Sequence, residues 1–287
     1  MKWKLKGIVG CVLALSLVGT GCAANKDAEA RPLIIVSTYA LEYVTTQLVG
    51  EQADVVALIT PGVEPHDLEL TSAQVQQIAT ADLVVYQAGF QAAVDLAVAQ
   101  TSPDKVIDVV SAVELLASEE GADPHIWLDP VNMGHIAKAI AARLETVLPS
   151  SADIAVAEVV AAFERLDADY ASGLRTCRIR TFVPSHAAFA YLAKRYELVQ
   201  VPIAGLDPNI EPTLARIAQV HEIALEHGVT TIFYEAMVSD AVARALAADL
   251  KLAVDVLDPV EAYPKEGDYE SVMRANLAAL RRANGCE

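Results

Sequence analysis

The sequence predicts an α/β protein in two halves, each a mostly parallel sheet flanked by helices, with one long helix between them. Two observations carry this. Short apolar runs alternate with amphipathic stretches twice along the chain, and the two series are separated by a segment without Gly or Pro. In the first half the expected strands are Leu33–Ser37, Val55–Ile59, Leu83–Tyr86 and Val106–Val110. Helical patterns lie between them at Tyr39–Val49, Ser72–Ala79 and Phe90–Ala99. That βαβα order requires crossover connections, hence parallel strands with helices on both faces. Asn132–Leu148 follows as a helix closed by Pro149.

The long helix is expected over Ala152–Ser172, capped by Ser150 or Ser151 and stopped at Gly173. Its apolar positions Ile154, Val156, Val159, Val160, Phe163 and Leu166 fall largely at helical spacing. At 1.5 Å per residue it is ~30 Å long, which is about the width of a small domain. It either bridges two lobes or lies on the surface of one domain. In the second half, strands are expected at Arg180–Val183, Leu198–Val201, Thr231–Tyr234 and Ala253–Leu257. The helices there are Ala187–Tyr196, Thr213–His227, Ser239–Leu250 and Tyr269–Asn284. The halves share an architecture but no sequence repeat.

The chain opens with Lys2, Lys4 and Lys6, followed by an apolar run from Ile8 to Val18. That run is too short to span a bilayer and suits the core of a signal peptide. It ends at Gly19-Thr20-Gly21-Cys22, which looks like a bacterial lipobox, although Gly19 stands where Leu is usual. The expectation is an exported protein held at the cell membrane by a lipidated Cys22, or free in the periplasm if it is not lipidated. A diacylated cysteine anchors stably where a single chain does not. Residues 23–31 are small and polar and read as a tether.

Removal of residues 1–21, which hold three lysines and no acid, takes the formal charge from −17 to −20. So acidic a chain lacks the basic footprint that nucleic-acid binding needs. Of the four cysteines, Cys177 and Cys286 remain once Cys11 is cleaved off and Cys22 is acylated. In an oxidising compartment they either stay as thiols or form a disulfide whose long loop contributes about 4 kcal/mol.

In open α/β sheets, ligands bind beyond the carboxyl ends of strands. Ionisable residues just past the expected strands are therefore the candidates for a site. Val55–Ile59 leads to His66; the loop after Val110 ends at Asp123-Pro124-His125; Arg180–Val183 exits to His186; Ala253–Leu257 exits to Asp258. Three imidazole nitrogens and one carboxylate oxygen complete a four-coordinate shell for a divalent ion such as Zn²⁺. Prolines 61, 65, 124, 184 and 259 stiffen the loops that carry them. His135, His221 and His227 sit on expected helices and are taken as structural or surface residues. Glu235, directly after Thr231–Tyr234, either orients a ligand histidine or faces solvent. Trp127 is taken as packing between the halves.

These residues resemble the metal-specific solute-binding proteins of ABC transporters, the zinc and manganese receptors of lipoprotein type. The pieces that carry the resemblance run in order along nearly the whole mature chain. They are Pro61-Gly62 with Pro65-His66-Asp67, the stretch from Asp123 to Pro130 (DPHIWLDP) and Pro184-Ser185-His186-Ala187-Ala188-Phe189. Then come Glu211-Pro212 after Gly205, Phe233-Tyr234-Glu235, Leu257-Asp258-Pro259 and Met273-Arg274-Ala275-Asn276-Leu277. The resemblance implies two α/β lobes joined by one rigid helix, with the metal in the cleft and His66, His125, His186 and Asp258 as ligands. It divides the chain into a signal peptide (1–21), a tether (22–32), an N-terminal lobe (33–150), a linking helix (151–174) and a C-terminal lobe (175–287). It implies a monomer that passes Zn²⁺, with Mn²⁺ as the alternative cargo, to a membrane permease. Residues 115–122, where many zinc-specific relatives carry a histidine-rich loop, contain no histidine.

Three other functions compete with this one. A metallohydrolase keeps one metal position open for water, which four protein ligands do not leave; His-Glu-x-x-His, Gly-x-Ser-x-Gly and Walker motifs are also absent. An adhesin finds no support in the residues. An organic-ligand receptor calls for an aromatic-lined cleft, and only 6% of the chain is aromatic.

Overall fold

Central apolar runs fold as the strands of a parallel sheet because both of their faces can be buried. In the computed structural model, which describes residues 31–148, 153–235 and 240–287, four such strands come first. They are β1 (Leu33–Val36), β2 (Asp54–Ala57), β3 (Leu83–Tyr86) and β4 (Val106–Asp108), all parallel, in the order β2-β1-β3-β4. Side chains alternate between faces with a period of two. Ile34, Val36, Leu83 and Val85 accordingly enter one core, and Ile35 and Val84 enter another on the opposite face. Helix α1 (Tyr39–Val49) covers the first face, and α2 (Ser72–Thr80) and α3 (Ala92–Val98) cover the second. Thr38 caps α1 by accepting from the Leu41 amide, and Thr71 with Gln74 forms a reciprocal capping box on α2.

A short antiparallel hairpin, β5 (Ala117–Ser118) and β6 (Gly121–Ala122), follows. Two-residue strands are too short to leave a periodic signal, and none was expected there. Helix α4 spans Pro130–Leu144, with Asp129 accepting from the Val131 amide and Pro130 in the first turn. The long helix α5 spans Val156–Leu174, later at both ends than the expected Ala152–Ser172. The expected caps, Ser150 and Ser151, lie outside the described residues. Gly173 does not stop the helix. It is buried, and a Cβ there would lie 3.2 Å from side-chain carbons of Leu277 and Arg281, so it permits close approach of the last helix.

The second half contains β7 (Thr181–Phe182), α6 (Ala190–Arg195), β8 (Val199–Gln200), α7 (Leu214–Glu226), β9 (Thr231–Tyr234), α8 (Ala241–Leu250), β10 (Ala253–Val256) and α9 (Tyr269–Asn284). β7 pairs with β8 and β9 with β10, all parallel. A Val183–Ile232 bridge joins the pairs, with the Phe233 amide donating to Val183 O at 2.8 Å. The strands thus lie in the order β8-β7-β9-β10, the winding of the first half repeated. Helix α6 begins later than the expected Ala187, and two amides ahead of it bond to other segments. Ala187 N donates to Gly205 O at 2.9 Å and Phe189 N to Gln200 Oε1 at 2.5 Å.

The largest hydrophobic core runs through both halves, from Ile34 and Val85 by way of Phe163 and Tyr170 of α5 to Phe182, Phe233 and Tyr269. Polar ties reinforce it. Arg195 grips the Asp129 carboxylate at 2.8–3.1 Å, Tyr191 Oη accepts from Leu116 N and donates to Asp123 O, and Trp127 Nε1 donates to Pro259 O at 2.7 Å. Cys177 and Cys286 form a disulfide that fastens the last residues beside the end of α5. Among the described residues no helix is long and apolar enough to cross a membrane. The expected signal peptide and Cys22 lie outside the described residues.

Candidate metal centre

Each half sends two chain segments from the carboxyl side of its sheet toward the same point. In the first, Thr60-Pro61-Gly62-Val63 makes a tight turn, with Val63 N donating to Thr60 O and Gly62 at φ +86°. Proline at the second position and glycine at the third are what a type II turn demands. The chain then reaches His66, whose ring edge meets Phe90 with centroids 4.8 Å apart. His125 starts a short 3₁₀ turn (Ile126–Leu128), and its backbone amide and Nδ1 both lie on Asp123 Oδ1, at 2.9 and 2.8 Å. Two buried glutamines that follow β3 hold the prolines preceding these ligands: Gln91 donates to Pro65 O at 3.1 Å and Gln87 to Pro124 O at 2.5 Å. The sequence singles out neither, because a polar loop residue carries no signal of what it will clamp.

From the second half, His186 follows β7 and presents Nδ1 to Glu235 Oε1 at 2.6 Å; Ser185 Oγ donates to the same oxygen. Glu235 is 3% exposed, so of its two expected roles it takes the one that orients a histidine. The fourth member is Glu261, past β10. Its Oε1 lies 3.0 Å from His125 Nε2, 3.3 Å from His186 Nε2 and 3.5 Å from His66 Nε2, and the two buried Nε2 atoms are 3.3 Å apart. His125 and His186 are 0% exposed, and the His66 side chain is 11% exposed. All four ligand atoms lie within 4.8 Å of one another.

The structure therefore brings together three of the four expected ligands, His66, His125 and His186, with Glu261 in the place expected for Asp258. Asp258 Oδ1 instead accepts from the Val260 amide at 2.8 Å. Burial, together with the charges on Glu235 and Glu261, pushes the Asp258 carboxyl above its ordinary value. Val260 holds φ at +57°, a left-handed conformation that costs a β-branched residue about 1–2 kcal/mol. At a strand exit the Asp258-Pro259 pair reads as a ligand. As a turn starter it also points to the next carboxylate, Glu261.

With Nδ1 of His125 and His186 donating to carboxylates, both Nε2 lone pairs face the centre and Glu261 Oε1. His66 Nε2 and Glu261 Oε1 are both buried, 3.5 Å apart. Converging buried acceptors are costly unless protons or a cation fill the space between them. Without a cation, protons do so. Burial pulls His186 down, but the Glu235 and Glu261 carboxylates outweigh it and push it up to about 10. His125 is likewise raised against burial by Asp123 and Glu261. Glu261, which burial alone would raise, is held well below the carboxylate range by His125, His186 and His66. A tetrahedral shell with bonds of about 2.0–2.1 Å has ligand–ligand edges near 3.4 Å, so the 3.0–3.5 Å separations fit a zinc-sized ion.

The other histidines stand apart. His221 pairs with Asp249 at 3.2 Å, His227 Nδ1 meets Thr181 Oγ1 at 3.0 Å at the end of α7, and His135 is exposed on α4. Trp127 packs between the halves as expected, its ring 5.4 Å from that of His125.

Comparison with known proteins identifies the family. The profile of the family described as ZnuA, zinc-uptake complex component A, periplasmic, matches residues 34–283. The zinc-binding lipoprotein AdcA of Streptococcus pneumoniae is 31% identical over 99% of the chain, which spans 62% of AdcA's length. The high-affinity zinc uptake system protein ZnuA of Bacillus subtilis is 32% identical over 98% of the chain and 97% of its own length. The crystal structure of the Zn(II)-bound ZnuA-like domain of S. pneumoniae AdcA superposes with a TM-score of 0.76 at 32% identity, covering 89% of this chain and 99% of that one. The chain belongs to the ZnuA family of periplasmic zinc-uptake components.

Proposed function

We propose that the protein is an extracytoplasmic zinc receptor that captures the ion between its two α/β halves and hands it to an ABC permease. The observation that carries this reading is the convergence of three imidazole Nε2 atoms and Glu261 Oε1 on one buried point. The ligands are His66, His125, His186 and Glu261. Asp123 and Glu235 fix the tautomers of His125 and His186, as carboxylates behind metal-bound histidines commonly do. Four protein ligands leave no coordination position for a catalytic water, which favours a binding protein over a hydrolase. Three nitrogens and one oxygen favour Zn²⁺ over Mn²⁺, which prefers oxygen-rich, higher-coordinate sites. Residues 33–150 and 175–287 serve as the lobes and 151–174 as the linking segment of a monomer. Lipidation of Cys22 holds the receptor at the membrane, and Cys22→Ala releases it or blocks its maturation; unchanged membrane retention would remove that element.

The site is tested by elemental analysis of protein equilibrated with equimolar Zn²⁺ and Mn²⁺. Wild type is expected to carry close to one zinc, and His125→Ala and His186→Ala little. Wild-type loading in both variants would place the metal elsewhere. Manganese in the wild-type site would change the cargo but keep the receptor.

A further inference from the structure

We propose that Asp258 is the positioning residue that turns the fourth ligand, Glu261, onto the ion, a reading that rests on the metal site proposed above. Four hydrogen bonds hold the turn from Asp258 to Glu261. Asp258 N donates to Asn276 Oδ1 at 2.9 Å, and Asn276 Nδ2 returns a bond to Asp258 O at 2.6 Å. Pro259 O accepts from Trp127 Nε1 at 2.7 Å, and Val260 N donates to Asp258 Oδ1 at 2.8 Å.

A β-branched residue at positive φ persists only where its surroundings over-determine it. Of the four bonds, only the last involves a side chain of the turn itself. It closes the short ring by which an aspartate or asparagine side chain mimics a backbone turn. Asn276 and Trp127 fix where the turn sits, whereas Asp258 Oδ1 fixes which way Val260 faces. With Val260 left-handed, the next side chain points back among the three imidazoles, and Glu261 is 6% exposed as a result. Trp127 follows His125 by two residues, so the segment that supplies a ligand from the first half also steadies the turn that supplies one from the second.

The chemistry separates a positioning role from a ligand role. Accepting the Val260 amide needs an oxygen lone pair, which the amide of asparagine also offers; ligating a divalent ion draws on the negative charge, which asparagine lacks. Full-length Asp258→Asn, Asp258→Ala, Glu261→Ala and the Asp258→Ala/Glu261→Ala double variant are compared by zinc competition against a chromophoric chelator. The visible spectrum of the Co²⁺-loaded proteins is recorded alongside. Asp258→Ala is expected to weaken binding ~10–100-fold, the usual cost of losing a group that orients a ligand. Asp258→Asn is expected to keep the wild-type affinity and Co²⁺ spectrum, and Asp258→Ala to add nothing once Glu261 is gone.

Loss of affinity and a changed Co²⁺ spectrum in Asp258→Asn would overturn the proposal, as would additive losses in the double variant. Should Asp258→Ala fail to fold, the Asp258→Asn spectrum decides alone. Failure of the metal site itself is read separately, from wild-type affinity in His125→Ala and His186→Ala.

Discussion

Zinc binding to this site should be strongly pH-dependent, because zinc has to displace protons that the apo cluster holds tightly. His186 is pushed up to about 10, against an ordinary value of 6.5. At pH 7 that proton is held about a thousandfold in excess, which subtracts about 4 kcal/mol from the intrinsic zinc affinity at 1.36 kcal/mol per unit. His125 is raised in the same direction, whereas Glu261 stays ionised throughout. Each unit of pH gained above neutrality should therefore strengthen binding about tenfold or more until the imidazoles are neutral. Stability of the metal-free protein should run the other way. A group whose folded pKa is raised contributes fully below its unfolded value, here 6.5, and that contribution is lost as pH climbs through about 10. Calorimetry at pH 7 in two buffers of different ionisation enthalpy counts the protons released, and chelator competition from pH 6 to 9 gives the slope. An affinity that does not change between pH 6 and 8, with no proton passed to the buffer, would mean that the imidazoles are already neutral, and the reasoning would fail.

Replacing both Cys177 and Cys286 with serine should lower stability by about 4 kcal/mol through the long loop they close, measured by denaturant unfolding, and leave zinc affinity unchanged. Gln87→Ala removes one of two donors to the partly buried Pro124 carbonyl, which keeps the Ile126 amide; about 0.5–1.5 kcal/mol of lost stability is expected, with weaker zinc binding, since His125 is the next residue. His186→Glu should narrow the preference for Zn²⁺ over Mn²⁺ in a competition assay by exchanging a nitrogen ligand for an oxygen. His221→Ala, far from the cluster, should alter neither affinity nor selectivity.

The strands were legible because each is a short apolar run bounded by turn residues, and burial on both faces of a parallel sheet demands that pattern. The three histidines were legible for a related reason, since strand exits are where such sheets bind ligands. What the sequence hid depends on contacts between distant segments. Glu261 faces the site only because Val260, bonded to Asp258 Oδ1, takes a conformation that local preference opposes, in a turn seated by partners on α9 and beside His125. Gly173 reads as a helix stop, yet its use lies in the approach of α9 more than a hundred residues later.

The repeated winding of the two sheets has a thermodynamic corollary. Each half delivers two donors, His66 and His125 from one and His186 and Glu261 from the other. Neither half alone can offer the ion more than a bidentate grip. Zinc held as proposed would be a removable crosslink between chain segments far apart in sequence, its chelate strength set by how well the shared core holds both donor pairs in register. Anything that loosens that core is expected to shed metal before it unfolds the chain, so loading would report on the cohesion of the halves as sensitively as on the ligands themselves.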